Sequence, residues 1–183
     1  MKKIILTVFA ASSLLLYSTQ AFALLNFSVG VPLSHTFTGK YSGGEEVKSD
    51  GVSGAFIQIG VPMLPGIGMD SYKTKLKCAS CDKELSVSTT MYNLYYLLPI
   101  PIINLTIGLG TGKTQLEYGG VAGDDGTATQ FYTSIGVPLI PLFDLHLSYR
   151  LISSKIESTD EDDKGTKYDF GGNVMGLGIG FNF

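Results

Sequence analysis

The chain has 183 residues, a formal net charge of −3, 44% hydrophobic residues and only 16% charged ones. That is one domain's length. The acidic balance offers nothing to a phosphate backbone, so no nucleic-acid partner is expected.

Lys2 and Lys3 precede an apolar run from Ile4 to about Tyr17, and Ala21-Phe22-Ala23 follows in small-x-small form. This is the pattern of a secretory signal peptide. Residues 1–23 are therefore expected to be a leader and 24–183 the folded domain. No cysteine follows the cleavage site, so a lipid anchor is not expected. No later stretch offers the about 18 consecutive apolar residues of a spanning helix. If the rest of the chain enters a membrane, it must do so as a closed sheet, because lipid cannot satisfy unpaired backbone groups.

Alternation with period two runs through that remainder and marks strands with two different faces. Leu25, Phe27, Val29, Val31 and Leu33 alternate with small or polar residues. Ile103, Leu105, Ile107 and Leu109 do the same, as do Phe143, Leu145, Leu147, Tyr149 and Leu151. Met175, Leu177, Ile179, Phe181 and Phe183 close the chain in that pattern. The second face is small and polar rather than charged and bulky, as a narrow lumen requires. The fourth strand reads less cleanly, since Asn93 shares parity with Met91 and Tyr95. Trp is absent, and Tyr92, Tyr95, Tyr96, Tyr132 and Tyr149 are the candidates for an interfacial girdle.

Charge collects between the strands. Residues 40–51, 77–84, 118–127 and 157–169 are polar and rich in Gly, Asp and Lys. Compact apolar turns alternate with them: Val61-Pro62-Met63-Leu64-Pro65, Pro99-Ile100-Pro101 and Val137-Pro138-Leu139-Ile140-Pro141, nearly forty residues apart. Pro cannot donate to a ladder and belongs at strand ends. Four polar loops and three Pro turns predict eight strands, at 25–38, 52–62, 66–76, 85–98, 102–117, 128–138, 142–156 and 168–183. The expected fold is all-β: an eight-stranded antiparallel up-and-down transmembrane β-barrel, with side chains filling its interior.

These features resemble the small eight-stranded outer-membrane barrels, the group of the OmpA transmembrane domain and the OmpX/Ail-type proteins. The terminal Gly178-Ile179-Gly180-Phe181-Asn182-Phe183 is similar to the strand signal read by the barrel-assembly machinery, with Phe181 and Phe183 as its aromatic positions. The resemblance implies the bacterial outer membrane, with its lipids and lipopolysaccharide as neighbours. It does not fix a function, because such barrels serve as adhesins, anchors, narrow pores and enzymes.

Several residues are candidates for chemistry. Cys78 and Cys81 form CASC in an outside loop. A redox pair would need a helix N-terminus or a basic partner, and a metal site would need more ligands than His35 and His146 supply. A disulfide suits an oxidising compartment and the two-residue gap. Lys73, Lys75 and Lys77 share parity with Ile67 and Met69, so they should point outward, either as a solvated stem or toward lipopolysaccharide phosphates. Asp160, Glu161, Asp162 and Asp163 lack the spacing of a calcium loop and read as a solvated segment. Asp144, His146, Ser148 and Arg150 share the inner face of the seventh strand, where Arg150 is expected to pair with a carboxylate such as Asp144 or a neighbouring polar group. His146-Leu147-Ser148 also resembles the His-x-Ser of the lipid A 3-O-deacylases, which would imply a Ser-His-Glu hydrolase with Glu157 as a loose third member. Tyr149 departs from the Asn of that family, and the lumen-facing parity hides the pair from lipid.

The sequence thus leads to a non-enzymatic surface barrel without cofactor or metal, whose outer loops meet lipopolysaccharide, ions or another surface. A narrow pore lined by Gly, Ser and Thr, and the deacylase-like hydrolase, are the alternatives.

Overall fold

The computed structural model describes residues 25–39, 46–78, 81–100, 103–140, 142–158 and 165–183. The proposed leader and the acidic run at 160–163 lie outside these residues. Among the described residues nine strand segments form: β1 (Asn26–Phe37), β2 (Ser49–Gly60), β3 (Pro65–Leu76), β4 (Leu85–Ile100), β5 (Ile103–Tyr118), β6 (Val121–Ile140), β7 (Phe143–Glu157), β8 (Lys167–Asp169) and β9 (Gly172–Asn182). From β1 to β7 each strand pairs antiparallel with the next, β9 pairs with both β7 and β1, and the short β8 pairs with the outer end of β7. β8 and β9 are one stave interrupted at Phe170-Gly171, so the sheet closes as an eight-stranded up-and-down barrel. The closing edge is long: β1 meets β9 from Asn26↔Asn182 to Phe37↔Gly172. Leu25 and Phe183 exchange both backbone hydrogen bonds, at 3.0 and 2.9 Å. Closure leaves no edge for lipid to penalise.

β7 shows why the alternation produces this wall. Leu145, Leu147, Tyr149 and Leu151 point out, while Asp144, His146, Ser148 and Arg150 point in and are buried. Outward apolar residues of neighbouring staves continue the row, including Ile135 and Phe131 on β6, Leu109 on β5, and Met175, Leu177 and Ile179 on β9. An apolar belt that encircles a closed barrel belongs in lipid, since water would not tolerate a patch of that size. At its inner edge the Phe181 ring lies 5.0 Å from Phe143 and 6.2 Å from Phe27, and stacks with Phe183 at 6.4 Å. These phenylalanines supply an aromatic border where Trp is absent.

Two expectations change. The segment 118–127 is strand rather than loop: β5 and β6 run on to a tight turn at Gly119-Gly120, whose φ values of 59° and 80° favour glycine. Its polar composition reflects height above the lipid, not lack of pairing. Among the tyrosines, Tyr92, Tyr96 and Tyr149 face outward, but Tyr95 and Tyr132 are buried in the lumen. Glycines on neighbouring staves make their slots; a Cβ on Gly108 would overlap the Tyr132 ring, and one on Gly66 would overlap Tyr95.

The strands outrun the belt on one side, and there the polarity of the wall inverts. Inside this outer storey sit Phe37, Val47, Leu76, Val87, Ile156 and Phe170, with Leu85, Leu116 and Tyr168 against them. Outside it stand Lys73, Lys75, Lys113 and Glu117. The parity of the strands is unchanged along β3 and β7, so only the chemistry of the two faces has been exchanged. β1 reaches the same result through a bulge: its register slips between Pro32 and Ser34, which turns His35 and Phe37 inward.

Candidate functional site

Two features concentrate polar chemistry: the lumen at membrane height, and the outer face of the upper storey.

The lumen is organised around Arg150 and Asp144. Arg150 is 2% exposed, and its Nε lies 3.1 Å from Asp70 Oδ2, with Nη2 3.5 Å from Oδ1. Its Nη1 donates to Ser148 Oγ, which donates to the Gly176 carbonyl at 3.2 Å. The guanidinium lies 3.5 Å from the centroid of the Phe56 ring and 5.0 Å from that of Tyr132. Asp70 also accepts from Gln130 Nε2 at 2.6 Å, and Gln130 donates to Asn93 Oδ1 at 2.5 Å. One buried ion pair is thus wrapped in hydrogen bonds and aromatic faces, as a desolvated pair requires.

Arg150 has the carboxylate and the neighbouring polar group expected of it, but the carboxylate is Asp70 and not Asp144. Arg150 and Asp144 are six residues apart on one strand, about 20 Å, whereas β3 brings Asp70 across the lumen. Asp144 serves the inner end instead. Its Oδ2 accepts from Asn104 Nδ2 at 2.5 Å and Asn182 Nδ2 at 3.2 Å, and its Oδ1 lies 2.5 Å from His146 Nε2. Asn26 Nδ2 donates to Asn182 Oδ1 at 2.7 Å. This clasp joins β1, β5, β7 and β9 just inside the closing edge. Between the two groups, Ser28 donates to Gln58 Oε1 at 3.1 Å, and Gln58 Nε2 donates to Tyr132 Oη at 2.7 Å.

Little space is left between the described residues of the network. A cavity of about 20 Å³, bordered by Ser28, Gln58, Ser134, His146, Ser148 and Arg150, is water-sized. Above it Met91, Ala128, Ile152 and Val174 pack within the bore, and the apolar core of the outer storey lies above them.

The hydrolase arrangement does not assemble. Ser148 is engaged by Arg150 and the Gly176 carbonyl, and His146 faces Asp144. Glu157, the candidate third member, projects from the outer face with its carboxylate 3.8 Å from Lys167 Nζ. The outward position of odd residues at the top of β7 separates it from the lumen.

On the outer face the three lysines form a row, each near an acid. Lys73 lies 2.6 Å from Glu117, Lys75 2.6 Å from Glu84, and Lys77 3.8 Å from Asp50. Ser88 donates to the other oxygen of Glu117. The Lys75–Glu84 and Lys77–Asp50 pairs are exposed and so hold weakly, and these lysines can exchange carboxylates for other anions, whereas Glu117 is half-buried against Lys73. The Cys78 and Cys81 sulfurs lie at bonding distance with their Cα atoms 5.4 Å apart, at the start of the loop beyond Lys77. No cluster of three or more metal-ligating side chains occurs among the described residues.

Asp70, Gln130, Asn93, Gln58 and Asn104 escaped the sequence reading. One signal could have found Asp70: it is an acid at an even position of β3, opposite in parity to Ile67 and Met69, and therefore inward. An inward Arg150 at similar height demands such a partner.

No protein-family model and no curated protein matches the sequence. Solved structures do resemble the fold. Neisserial surface protein A is similar with a TM-score of 0.60 at 12% identity, over 87% of this chain and 97% of that one. The outer membrane protein OprG from Pseudomonas aeruginosa is similar with a TM-score of 0.51 at 13% identity, over 88% of this chain and 96% of that one. The fold is that of the small eight-stranded outer-membrane barrels, the architecture of the bacterial outer membrane.

Proposed function

We propose that the chain is a non-enzymatic surface protein of the bacterial outer membrane, which holds a rigid, charge-clad platform against lipopolysaccharide, ions or another surface. The observation that carries this reading is the inverted outer storey. A barrel that merely crossed lipid would gain nothing from nine apolar side chains packed above the belt. Those side chains support a folded wall whose outward face carries Lys73, Lys75, Lys113, Glu84 and Glu117. The position of Lys73, Lys75 and Lys77 on the outward face above the apolar belt supports a contact with lipopolysaccharide phosphates, to which they would act as point charges.

The test is retention of lipopolysaccharide by the barrel in phosphatidylcholine nanodiscs, read by native mass spectrometry. The triple variant Lys73→Gln, Lys75→Gln, Lys77→Gln should retain about tenfold less, since three positive charges leave one face of the wall together. It should still show heat-modifiable migration on gels. Undiminished retention would remove the lysine row from the reading.

The filled bore speaks against the pore alternative. Planar bilayers containing the barrel are expected to show no steady conductance, and reproducible single-channel steps would favour the pore. The hydrolase alternative has the same weakness: its serine is tied down and faces away from lipid. Cells expressing the wild type or Ser148→Ala should therefore carry identical lipid A by mass spectrometry. Loss of an acyl chain with the wild type only would make the protein an enzyme.

A further inference from the structure

The apolar surface does not stop at the phenylalanine border. Below it the inner end of the barrel closes through three turns and the paired termini. Each of these brings exposed apolar side chains. Met63 is 67% exposed in the first turn, with Leu64 beside it. Ile100 stands exposed at the second. Leu139 is 65% exposed at the third, and Phe183 is 60% exposed at the chain end. No Asp, Glu, Lys, Arg or His occurs in residues 60–69, 94–107, 131–143 or 171–183. Turns that face water ordinarily use Gly, Asn, Asp and Ser.

The backbone points the same way. Met63 takes a φ of 68°, in the left-handed region that suits Gly or Asn. A methionine there costs conformational energy that a water-facing turn would not repay. The Leu64 N–H is satisfied within the turn, by the Val61 carbonyl at 3.1 Å. Six of the seven prolines fall in the turn sequences 61–65, 99–101 and 137–141. Each removes an N–H that lipid could not hydrogen-bond.

Height adds an independent argument. On β3 the outward row holds only Ile67 and Met69 before Ser71 and Lys73. From Ile67 to Lys73 the stave climbs about 15 Å along the membrane normal, at the usual strand rise and tilt. The apolar band of a transmembrane barrel is about 25 Å tall. Counted from Met63, the same stave climbs about 25 Å. The first turn therefore completes the band on this side of the barrel.

We propose that the inner rim is sunk among the acyl chains of the inner leaflet, so that its turns contact phospholipid and not the periplasm. The apolar side chains ring the whole inner end, at every turn and at the termini. A protein partner would call for such a surface on one sector; a lipid layer calls for it all round. The barrel then offers the periplasm no protruding platform, and its working face is the charged outer storey alone.

Methionine-methyl NMR of the protein in phosphatidylcholine nanodiscs tests this without altering the rim. Met69 and Met175 lie on the belt, and Met91 is fully buried in the bore, so the three serve as internal references. A nitroxide carried on the acyl chains should broaden the Met63 signal as strongly as those of Met69 and Met175. A water-soluble gadolinium chelate should leave it as sharp as theirs. Met91 should respond to neither. Leu139→Met extends the reading to the third turn. Val121→Met marks a water-exposed position at the tip of the outer hairpin, and its methyl should broaden with gadolinium alone. Gadolinium broadening of Met63, or of the methyl introduced by Leu139→Met, to the extent seen at position 121 would overturn the proposal. Protection of both from both agents would overturn it too, since a protein surface such as a second copy would then cover the rim.

Discussion

Replacing Arg150 by alanine should cost the barrel about 3–5 kcal/mol, the range for breaking a buried ion pair from one side. The loss comes mostly from what remains. Asp70 is fully buried, and without the guanidinium its carboxylate keeps only the Gln130 amide. The Phe56 and Tyr132 rings lose the group packed between them. Urea unfolding in lipid vesicles measures the loss, and gel migration at graded temperature reports it qualitatively. Arg150→Met separates charge from packing, since it fills space without pairing. It should remain strongly destabilised alone and recover in part when combined with Asp70→Asn. A wild-type midpoint for Arg150→Met would show that packing, not pairing, holds this level of the lumen.

Much of this architecture was legible because lipid makes a harsh solvent. Leu145, Leu147, Tyr149 and Leu151 must face it, so their polar neighbours Asp144, His146, Ser148 and Arg150 must face the bore. Parity marks Asp70 as an inward acid, but it cannot supply the height at which Asp70 meets Arg150 across the bore. Asp70 meets Arg150 through barrel closure and shear, which no local pattern encodes. The same limit hid the buried places of Tyr95 and Tyr132. Each ring needs a glycine on a neighbouring stave, and the register that pairs Tyr132 with Gly108 emerges only in the closed sheet. The polar segment 121–127 misled for another reason. Composition was read as loop, although above the membrane a strand can be polar and still pair with its neighbour, as this segment does with β5.

The outer storey escaped the sequence for a related cause: its inward residues, such as Leu76, Val87 and Ile156, sit on the same parity as polar lumen residues lower down. Its importance predicts a second large effect. Phe170 is 2% exposed, interrupts the last stave between β8 and β9, and meets the Phe37 ring edge-on at 6.3 Å. Phe170→Ala should cost about 3–5 kcal/mol by the transfer and cavity terms of an aromatic core residue. Unlike the loss of Arg150, this cost should be local. Its backbone N–H still bonds Ser154 at 3.0 Å, and the lumen network below does not touch its ring. Hydrogen exchange should therefore quicken at the upper ends of β3, β7 and β8, while β9 and the belt region of β7 keep wild-type protection. Phe170→Leu, which refills most of the volume, should restore much of the protection. Uniform quickening along whole staves would mean that the two storeys fold as one unit, and that the apolar core above the membrane also stabilises the part within it.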